Sequence, residues 1–323
     1  MRFLWITDPW ETLDHARDTT LRLAQEASFL GHASDWCDVK DIRMENGRVF
    51  LDACRMQVDS RGAVQLSRPR QKDPNTFDSI HYRVDPPVDL AYLHPLQLLT
   101  LGVRARSKIV NPPEILALAN EKIENSAHFS DCVPPGLVSS SEERLFRFGK
   151  KQKIAVLKPL HYAQSKGVEL LRFSSSNEVA RSRRLLMKAT DGFKRPCLLQ
   201  RYLKEIASGE TRLWFVDGRL LASIKKFPKS GDFRVNIDQG SSVIPASLSS
   251  RDKQVARKIG AHLRKCGIRL AAVDLIGGFI TDFNVTSPGL IVQMEQVLGR
   301  NLARPIISAL AKTRSQPGHR RKR

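Results

Sequence analysis

Cysteine and long apolar runs are both scarce in this sequence, and each scarcity excludes a class of protein. The 323 residues contain five cysteines, odd in number, widely spaced and without any Cys-x-x-Cys pair. Neither a disulfide framework nor a structural zinc site is therefore indicated. No run of about 18 apolar residues occurs, and the apolar start at 2–7 meets an acid at Asp8 too early for a signal peptide. We expect a globular protein of the cytoplasm with no membrane contact.

Acidic residues are also few relative to basic ones, because 33 Asp and Glu stand against 53 Lys and Arg and leave a formal charge of +20. Such a charge attracts anions and can bind nucleic acid without sequence preference. Part of the excess lies in 313–323, where we expect a disordered basic tail. The tail is either a solubilising end or a contact for RNA or an acidic partner, and we expect any binding of nucleic acid to be non-specific. Aromatic residues make up 7%, and no stacking platform supports a dedicated nucleic-acid-binding protein.

The first 119 residues alternate short apolar strands with helical patterns. A strand at 2–7 is followed by a helix that stops at Gly31, and the pair Asn46-Gly47 suits a type I′ hairpin turn. Two later strands end at paired prolines, 86–87 and 112–113. This order predicts an α/β lobe with a small, largely parallel sheet and helices on its faces.

The most informative stretch is 271–288, where two apolar strands meet at a Gly-Gly turn. Asp282 and Asn284 stand two residues apart on the second strand and therefore share one face. Hairpin pairing can bring Asp274 of the first strand beside them. Three oxygen-bearing side chains in one small space are typical of a Mg²⁺ site that also takes phosphate oxygens from a nucleotide. The alternative is that Asp274 caps a turn while the other two decorate a solvent face.

Basic side chains interrupt two apolar strands, and their placement favours anion binding. Lys158 lies near the end of the run 154–160, and Arg212 directly precedes the run 213–216. Burying either charge is costly unless an anion meets it, although Lys158 can instead extend to the surface.

A further polar pair lies in a predicted strand at 231–237, where Arg234 and Asn236 share one face and apolar residues share the other. No Ser-His-Asp or Cys-His grouping accompanies these cations. Cations and Mg²⁺ that clamp phosphate, with little covalent work by the protein, are typical of phosphoryl transfer. The helical run 176–189 is also strongly basic, and a solvated face explains it as well as a substrate path does.

Several segments resemble, in the same order, those of bacterial glutathione synthetases, which are ATP-grasp ligases. The segments are Thr7-Asp8-Pro9, Asp18-Thr19-Thr20, Arg83-Val84-Asp85-Pro86-Pro87, Asn120-Glu121-Lys122 and Val273 to Pro288. The resemblance covers nearly the whole chain except the basic tail. It implies an N-terminal parallel-sheet lobe at 1–119 and a two-lobed ATP-grasp domain, with a nucleotide lobe at 120–197 and a C-terminal catalytic lobe at 198–312.

The resemblance also implies roles for particular residues. The candidates for binding ATP, through its phosphates, adenine and ribose, are Lys122, Lys158, Ser165, Lys166, Gly167, Gln200, Tyr202, Leu203 and Glu210. The catalytic candidates, near the acyl phosphate and the metal, are Arg212, Arg234 and Asn236. The metal candidates, for Mg²⁺ with Mn²⁺ possible, are Asp274, Asp282 and Asn284. The acceptor candidates are Arg83, Asp85 and Ser287.

The predicted activity is that of an ATP-dependent carboxylate-amine ligase. A substrate carboxylate takes the γ-phosphoryl group, and an amine then displaces phosphate from the acyl phosphate to give an amide. The expected substrates are amino acids or peptides, and a homo-oligomer is possible. Two departures from the family favour an alternative, a catalytically impaired ATP-grasp protein that binds nucleotide or an acidic partner. The loop 161–167 has one glycine where the family has three, and Asp282 stands where the family usually has Glu.

Overall fold

The computed structural model describes residues 1–123, 127–162, 165–229, 232–235 and 242–312. These residues form three β-sheets, and each sheet packs against helices. The mixed α/β class predicted from the sequence is confirmed. The limits of the three predicted lobes stay a prediction. No helix in the described ranges is long and apolar enough to cross a membrane.

The first sheet has a parallel centre with antiparallel additions. Its strands are β1 (Arg2–Thr7), β2 (Ala33–Asp38), β3 (Ile42–Glu45), β4 (Arg48–Val58), β5 (Val64–Leu66), β6 (Arg70–Lys72), β7 (Ser79–Tyr82) and β8 (Ile109–Val110), and its helices are α1 (Thr19–Phe29), α2 (Leu90–Gly102) and α3 (Pro113–Leu118). The strand order is β3-β4-β2-β1-β7-β8, and β5 and β6 pair with β4. The β1–β2, β1–β7 and β7–β8 pairs are parallel, as predicted. Asn46 and Gly47 both have positive φ, at 49° and 77°, and connect β3 to β4.

The second sheet is antiparallel and has helices on one face. Its elements are β9 (Gly136–Ser139), α4 (Glu142–Gln152), β10 (Ile154–Pro159), β11 (Glu169–Arg172), α5 (Ser176–Ala189) and β12 (Cys197–Arg201), with strand order β11-β10-β12-β9. Ala155 and Leu157 of β10 belong to the buried cluster that also contains Leu145 of α4 and Leu186 of α5. Lys158 points to the opposite face of β10, where it lines a cavity.

The third sheet contains the predicted hairpin. Its elements are β13 (Glu210–Val216), β14 (Arg219–Phe227), β15 (Ser242–Pro245), α6 (Ser250–Lys265), β16 (Leu270–Ile276) and β17 (Phe279–Asn284), followed by α7 (Ile291–Leu298) and α8 (Ala303–Leu310). The strand order is β15-β14-β13-β16-β17. Gly277 and Gly278 have φ of 57° and 76° at the turn between β16 and β17, which confirms the predicted Gly-Gly hairpin.

The predicted strand at 231–237 is wrong for 232–235, the part that the structure describes, because these residues form no strand. The Asp232 carboxylate accepts hydrogen bonds from the backbone N–H of Arg234 at 2.9 Å and from its Nη2 at 2.9 Å. Such local side-chain bonds offer the backbone an alternative to strand pairing. Asn236, and with it the proposed shared face, lies outside the described residues, as does the tail at 313–323.

Candidate active site

A cavity of about 680 Å³ lies between the three sheets. Strands of the second and third sheets line it, together with segments that adjoin the first sheet, among them Arg83 directly after β7. The candidates predicted from the sequence come together here. Those that line the cavity are Arg83, Asp85, Lys122, Lys158, Ser165, Lys166, Gly167, Gln200, Tyr202, Leu203, Glu210, Arg212, Arg234, Asp274, Asp282, Asn284 and Ser287. The remaining candidate, Asn236, lies outside the described part of the chain.

Three carboxylates form a cluster in this cavity. One oxygen from each of Glu210, Asp274 and Asp282 lies within 4.8 Å of the others. Strand pairing explains the convergence, because Asp274 is opposite Asp282 across β16 and β17 and opposite Arg212 across β16 and β13. Glu210 is two residues from Arg212 on β13 and therefore points to the same face.

Three buried or half-buried cations surround the carboxylates. Arg212 holds Asp274 in two places, with Nε 2.9 Å from Oδ1 and Nη2 2.6 Å from Oδ2. The Lys226 ammonium lies 2.7 Å from Glu210 and 3.2 Å from Asp274. The Lys158 Nζ donates to the Thr281 carbonyl at 3.0 Å and lies 3.3 Å from Asp282 Oδ1.

The proton affinities of the cluster follow from burial and these partners. Burial alone would raise the pKa of Asp274, but Arg212 and Lys226 outweigh it and hold that pKa below its usual value. Burial raises the pKa of Glu210, and the Lys226 ammonium offsets only part of this rise. Burial also raises the pKa of Asp282 against the pull of Lys158, although its side chain remains 27% exposed and solvent moderates the rise.

The donor set fits a hard divalent cation, since carboxylate and amide oxygens are the ligands that Mg²⁺ takes in proteins. Asp282 is more accessible than Asp274, because its side chain is 27% exposed against 4%, and both oxygens of Asp274 are engaged by Arg212 and Lys226. Asn284 projects from the same strand face as Asp282 and lines the cavity. Its buried amide nitrogen has no protein hydrogen-bond partner among the described residues. Glu210, predicted for ribose, lies with the metal candidates instead of apart from them.

Apart from Glu210, the nucleotide candidates lie on the second sheet, in its loops or in the segment that precedes it. Lys122 is buried, and its ammonium contacts the Glu121 carboxylate at 3.2 Å and the Tyr162 carbonyl. Gln200 is buried on β12, and its amide Nε2 lacks a protein partner within the described residues. An unpaired buried amide is costly, so a polar ligand edge would complete its hydrogen bonding. Ser165 and Gly167 both have positive φ, at 61° and 70°.

The acceptor candidates lie at the ends of β7 and β17. The Arg83 guanidinium is buried and donates to Thr20 Oγ1 at 2.8 Å and to the Pro288 carbonyl at 2.9 Å. The Asp85 side chain faces solvent in the cavity, but surrounding protein atoms and the Asp8 carboxylate raise its pKa to about 6. A Ser287 hydrogen bond opposes this rise in the pKa of Asp85.

Lys226 was missed by the sequence argument, although it lines the cavity and is 4% exposed. A signal was present in β14, where Ala222 and Ile224 are buried at alternate positions. Lys226 continues this alternation and therefore occupies a core-facing position. A lysine at such a position needs an anionic partner, by the same argument that identified Lys158 and Arg212.

Comparison with known proteins gives matches over most of the chain. The model of the prokaryotic glutathione synthetase N-terminal domain matches residues 1–116, and that of the prokaryotic glutathione synthetase ATP-grasp domain matches residues 121–299. The glutathione synthetase of Prochlorococcus marinus is 32% identical over 310 residues, which cover 96% of this chain and 98% of that protein. The glutathione synthetase of a Synechocystis strain is 30% identical over 323 residues, which cover 97% and 99%.

Solved structures show the same fold at lower identity. A D-cycloserine synthetase matches with a TM-score of 0.65 and 17% identity over 95% of this chain and 99% of that one. D-alanyl-alanine synthetase A from Vibrio cholerae matches with a TM-score of 0.59 and 13% identity over 97% and 99%. Identities this low establish the likeness of fold alone.

Proposed function

The chain belongs to the prokaryotic glutathione synthetase family and is an ATP-dependent ligase that forms amide bonds, and we propose that the cavity between the three sheets is where it does so. The observation that carries this proposal is the meeting of Arg212, Lys158 and Lys226 with three carboxylates in one cavity. Fixed cations aimed at developing phosphate charge are the main catalytic contribution available to a protein in phosphoryl transfer.

The residues around the cluster have different roles, which follow from their positions. Arg212 stays charged across the physiological range, because the Asp274 carboxylate more than offsets the cost of burial and raises the pKa of the guanidinium. It therefore offers a planar cation to an acyl phosphate. Lys122 and Lys158 neutralise the phosphates of ATP. A divalent cation, Mg²⁺ with Mn²⁺ as the alternative, when bound by Asp274, Asp282 and Asn284 supplies charge for the transferred phosphoryl group.

The acceptor part of the cavity suits a small zwitterion. Arg83 carries a buried positive charge, while Asp85 and Asp18 supply carboxylates beside it. An amino acid or short peptide presents the complementary pair of a carboxylate and an ammonium group. The relatives are named glutathione synthetases, so glutathione is the first product to test. The assay supplies its dipeptide part, γ-glutamylcysteine, together with glycine.

The test is ADP release together with the fate of a labelled oxygen. With the peptide carboxylate labelled by ¹⁸O, the acyl-phosphate route transfers one labelled oxygen to the phosphate released. Arg212→Lys should depress the rate, whereas Arg219→Lys, an exposed change on the neighbouring strand β14, should not. Unlabelled phosphate would contradict the acyl-phosphate route. No ADP release with any amino acid or peptide pair, while nucleotide still binds, would favour the impaired nucleotide-binding alternative, which the single glycine in 161–167 supports.

The cellular location and the oligomeric state of the chain are part of the proposal. A cytoplasmic location follows from the need for ATP and free amino acids, and cell fractionation tests it. A homo-oligomer would elute from a calibrated sizing column ahead of a 36.4 kDa monomer.

A further inference from the structure

The outer face of the second sheet has a charge pattern that the ligase reaction does not use. Here α4 and α5 lie side by side, joined by an ion pair between Arg183 Nε and Glu142 Oε1 at 2.6 Å. Exposed cations cover both helices: Arg144, Arg147, Lys150 and Lys151 on α4, and Arg181, Arg183, Arg184 and Lys188 on α5. We call these eight residues the outer basic face.

The outer basic face points away from the cavity. Leu145 of α4 and Leu186 of α5 pack against Ala155 and Leu157, on one side of β10. Lys158, on the opposite side of that strand, lines the cavity. Substrates and phosphates in the cavity therefore do not explain the cations on the helices.

The cations form one stripe along each helix. On α5 the stripe is Arg181, Arg184 and Lys188, and on α4 it is Arg144, Arg147 and Lys151, so both have the spacing i, i+3, i+7. This spacing keeps a set of side chains on one side of a helix over about 10 Å. Two stripes of cations with the same spacing indicate a ligand with repeated negative charge.

Local acids neutralise little of this charge. Glu142 pairs with Arg183 and Glu143 with Arg147, while Glu178 accepts hydrogen bonds from backbone N–H groups at the start of α5. Among the described residues, no ion pair engages the other six cations. Like charges this close repel each other, so a polyanion would relieve a cost that the free protein carries.

The surface chemistry separates the possible polyanions. On α4 and α5, all of whose residues are described, no aromatic side chain is exposed, since Phe146 and Phe148 pack partly buried against the core below. Single-stranded nucleic acid is held by exposed aromatic stacking, and protein interfaces are centred on aromatic and apolar anchors. The two helices expose one large apolar side chain, Met187 on α5, so the face offers mainly cations. Such a face matches contacts to a phosphate backbone, which carry no sequence information.

We propose that the outer basic face binds the phosphate backbone of duplex nucleic acid, independently of the ligase reaction and of the tail at 313–323. The probe is a labelled DNA duplex of about 30 base pairs, titrated with the full chain and with a chain lacking 313–323 over a range of salt concentrations. Each phosphate contact contributes a factor of about eight to affinity at about 0.1 M salt through counterion release.

The test variant removes the α5 stripe through Arg181→Gln, Arg184→Gln and Lys188→Gln. We expect its affinity to fall about 100- to 500-fold at about 0.1 M salt, and the slope of log affinity against log salt to flatten by about two to three. The matched control, Lys253→Gln, Arg257→Gln and Arg304→Gln, removes the same charge from exposed positions on α6 and α8 and should stay within about twofold of the wild type. Both variants should retain their melting temperature and ADP release.

Four results would overturn the proposal. An equal loss of duplex affinity in both variants would show that binding depends on net charge. Loss of duplex binding when 313–323 is removed would show that binding depends on the tail. Absence of duplex binding by the unmutated chain at about 50 mM salt would remove the activity itself. A polyglutamate peptide that binds the chain more tightly than the duplex, and loses affinity in the α5 variant, would assign the face to an acidic protein.

Discussion

Replacing Lys226 by Met is the sharpest test of the charge arrangement in the cavity. Met keeps most of the side-chain volume and flexibility but removes the ammonium that lies 2.7 Å from Glu210 and 3.2 Å from Asp274. Asp274 keeps both contacts with Arg212. The loss therefore falls on Glu210, whose other described side-chain contact is the Thr281 hydroxyl at 3.4 Å.

Removing one partner of a buried ion pair costs about 3–5 kcal/mol, because the other charge is left buried without compensation. At about 2 °C per kcal/mol this corresponds to a melting temperature lower by roughly 6–10 °C. The control is Lys225→Met, which removes the same charge one residue earlier, on the half-exposed face of β14. Its cost should stay within about 0.5 kcal/mol.

The deficit should depend on pH with a definite sign. Burial already raises the pKa of Glu210 in the presence of Lys226, and loss of the ammonium raises it further. The folded variant then binds a proton more tightly than the unfolded chain, so its stability falls as pH rises. Thermal melts should show a gap between the Lys226 and Lys225 variants that widens from acidic to mildly alkaline pH. Equal melting temperatures of the two variants at alkaline pH would refute the role assigned to Lys226.

Three further predictions follow from other contacts. Arg212→Lys keeps the charge but can hold Asp274 through one nitrogen only, and we expect ADP release to fall about 100-fold; a fall below threefold in a steady-state assay would contradict this. If the Asp85 carboxylate, with its pKa raised to about 6, binds the acceptor ammonium, acceptor affinity should rise with pH through that value, and calorimetry should find no such rise in Asp85→Asn. A Cβ on Gly260 would lie 2.4 Å from the Gly218 carbonyl oxygen, so Gly260→Ala should lower stability by about 1–3 kcal/mol in urea. The exposed change Arg257→Ala on the same helix should not, and equal midpoints would show that the two backbones can separate.

The parts of the site that follow from local patterns could be predicted from the sequence. The Gly277-Gly278 turn predicts the hairpin and pairs Leu275 with Ile280, but a β-bulge next to Asp274 then shifts the register and places Asp274 opposite Asp282. Alternation along β17 then puts Asn284 on the face of Asp282. Periodicity and turn chemistry are therefore enough to derive the hairpin and the shared face of Asp282 and Asn284. The bulge that brings Asp274 opposite Asp282 does not follow from the turn.

The relations between distant strands could not be derived in this way. Arg212 meets Asp274 across 62 positions of the sequence, and this contact depends on the pairing of β13 with β16. The same pairing brings Glu210 to the metal candidates, although the sequence argument assigned it to ribose. At 232–235, hydrogen bonds from Arg234 to Asp232 replaced the strand that apolar alternation had predicted.

The charge balance of the cluster determines how metal and nucleotide must bind. Glu210, Asp274 and Asp282 supply three negative charges, and contacts with Arg212, Lys226 and Lys158 supply three positive ones. A divalent cation that entered alone would add uncompensated charge to a buried, already neutral site. A cation that enters with phosphate oxygens brings its own counter-charge.

We therefore expect Mg²⁺ to raise the melting temperature little by itself, and much more in the presence of a non-hydrolysable ATP analogue. In Lys226→Met the cluster carries one unbalanced negative charge, so Mg²⁺ alone should stabilise that variant more than the wild type. Calorimetric titration of Mg²⁺ into both proteins, with and without the analogue, measures these differences directly. Strong binding of Mg²⁺ alone to the unmutated chain would contradict this expectation. It would show that the ion pairs between the lysines and the carboxylates break at little cost and do not control metal binding.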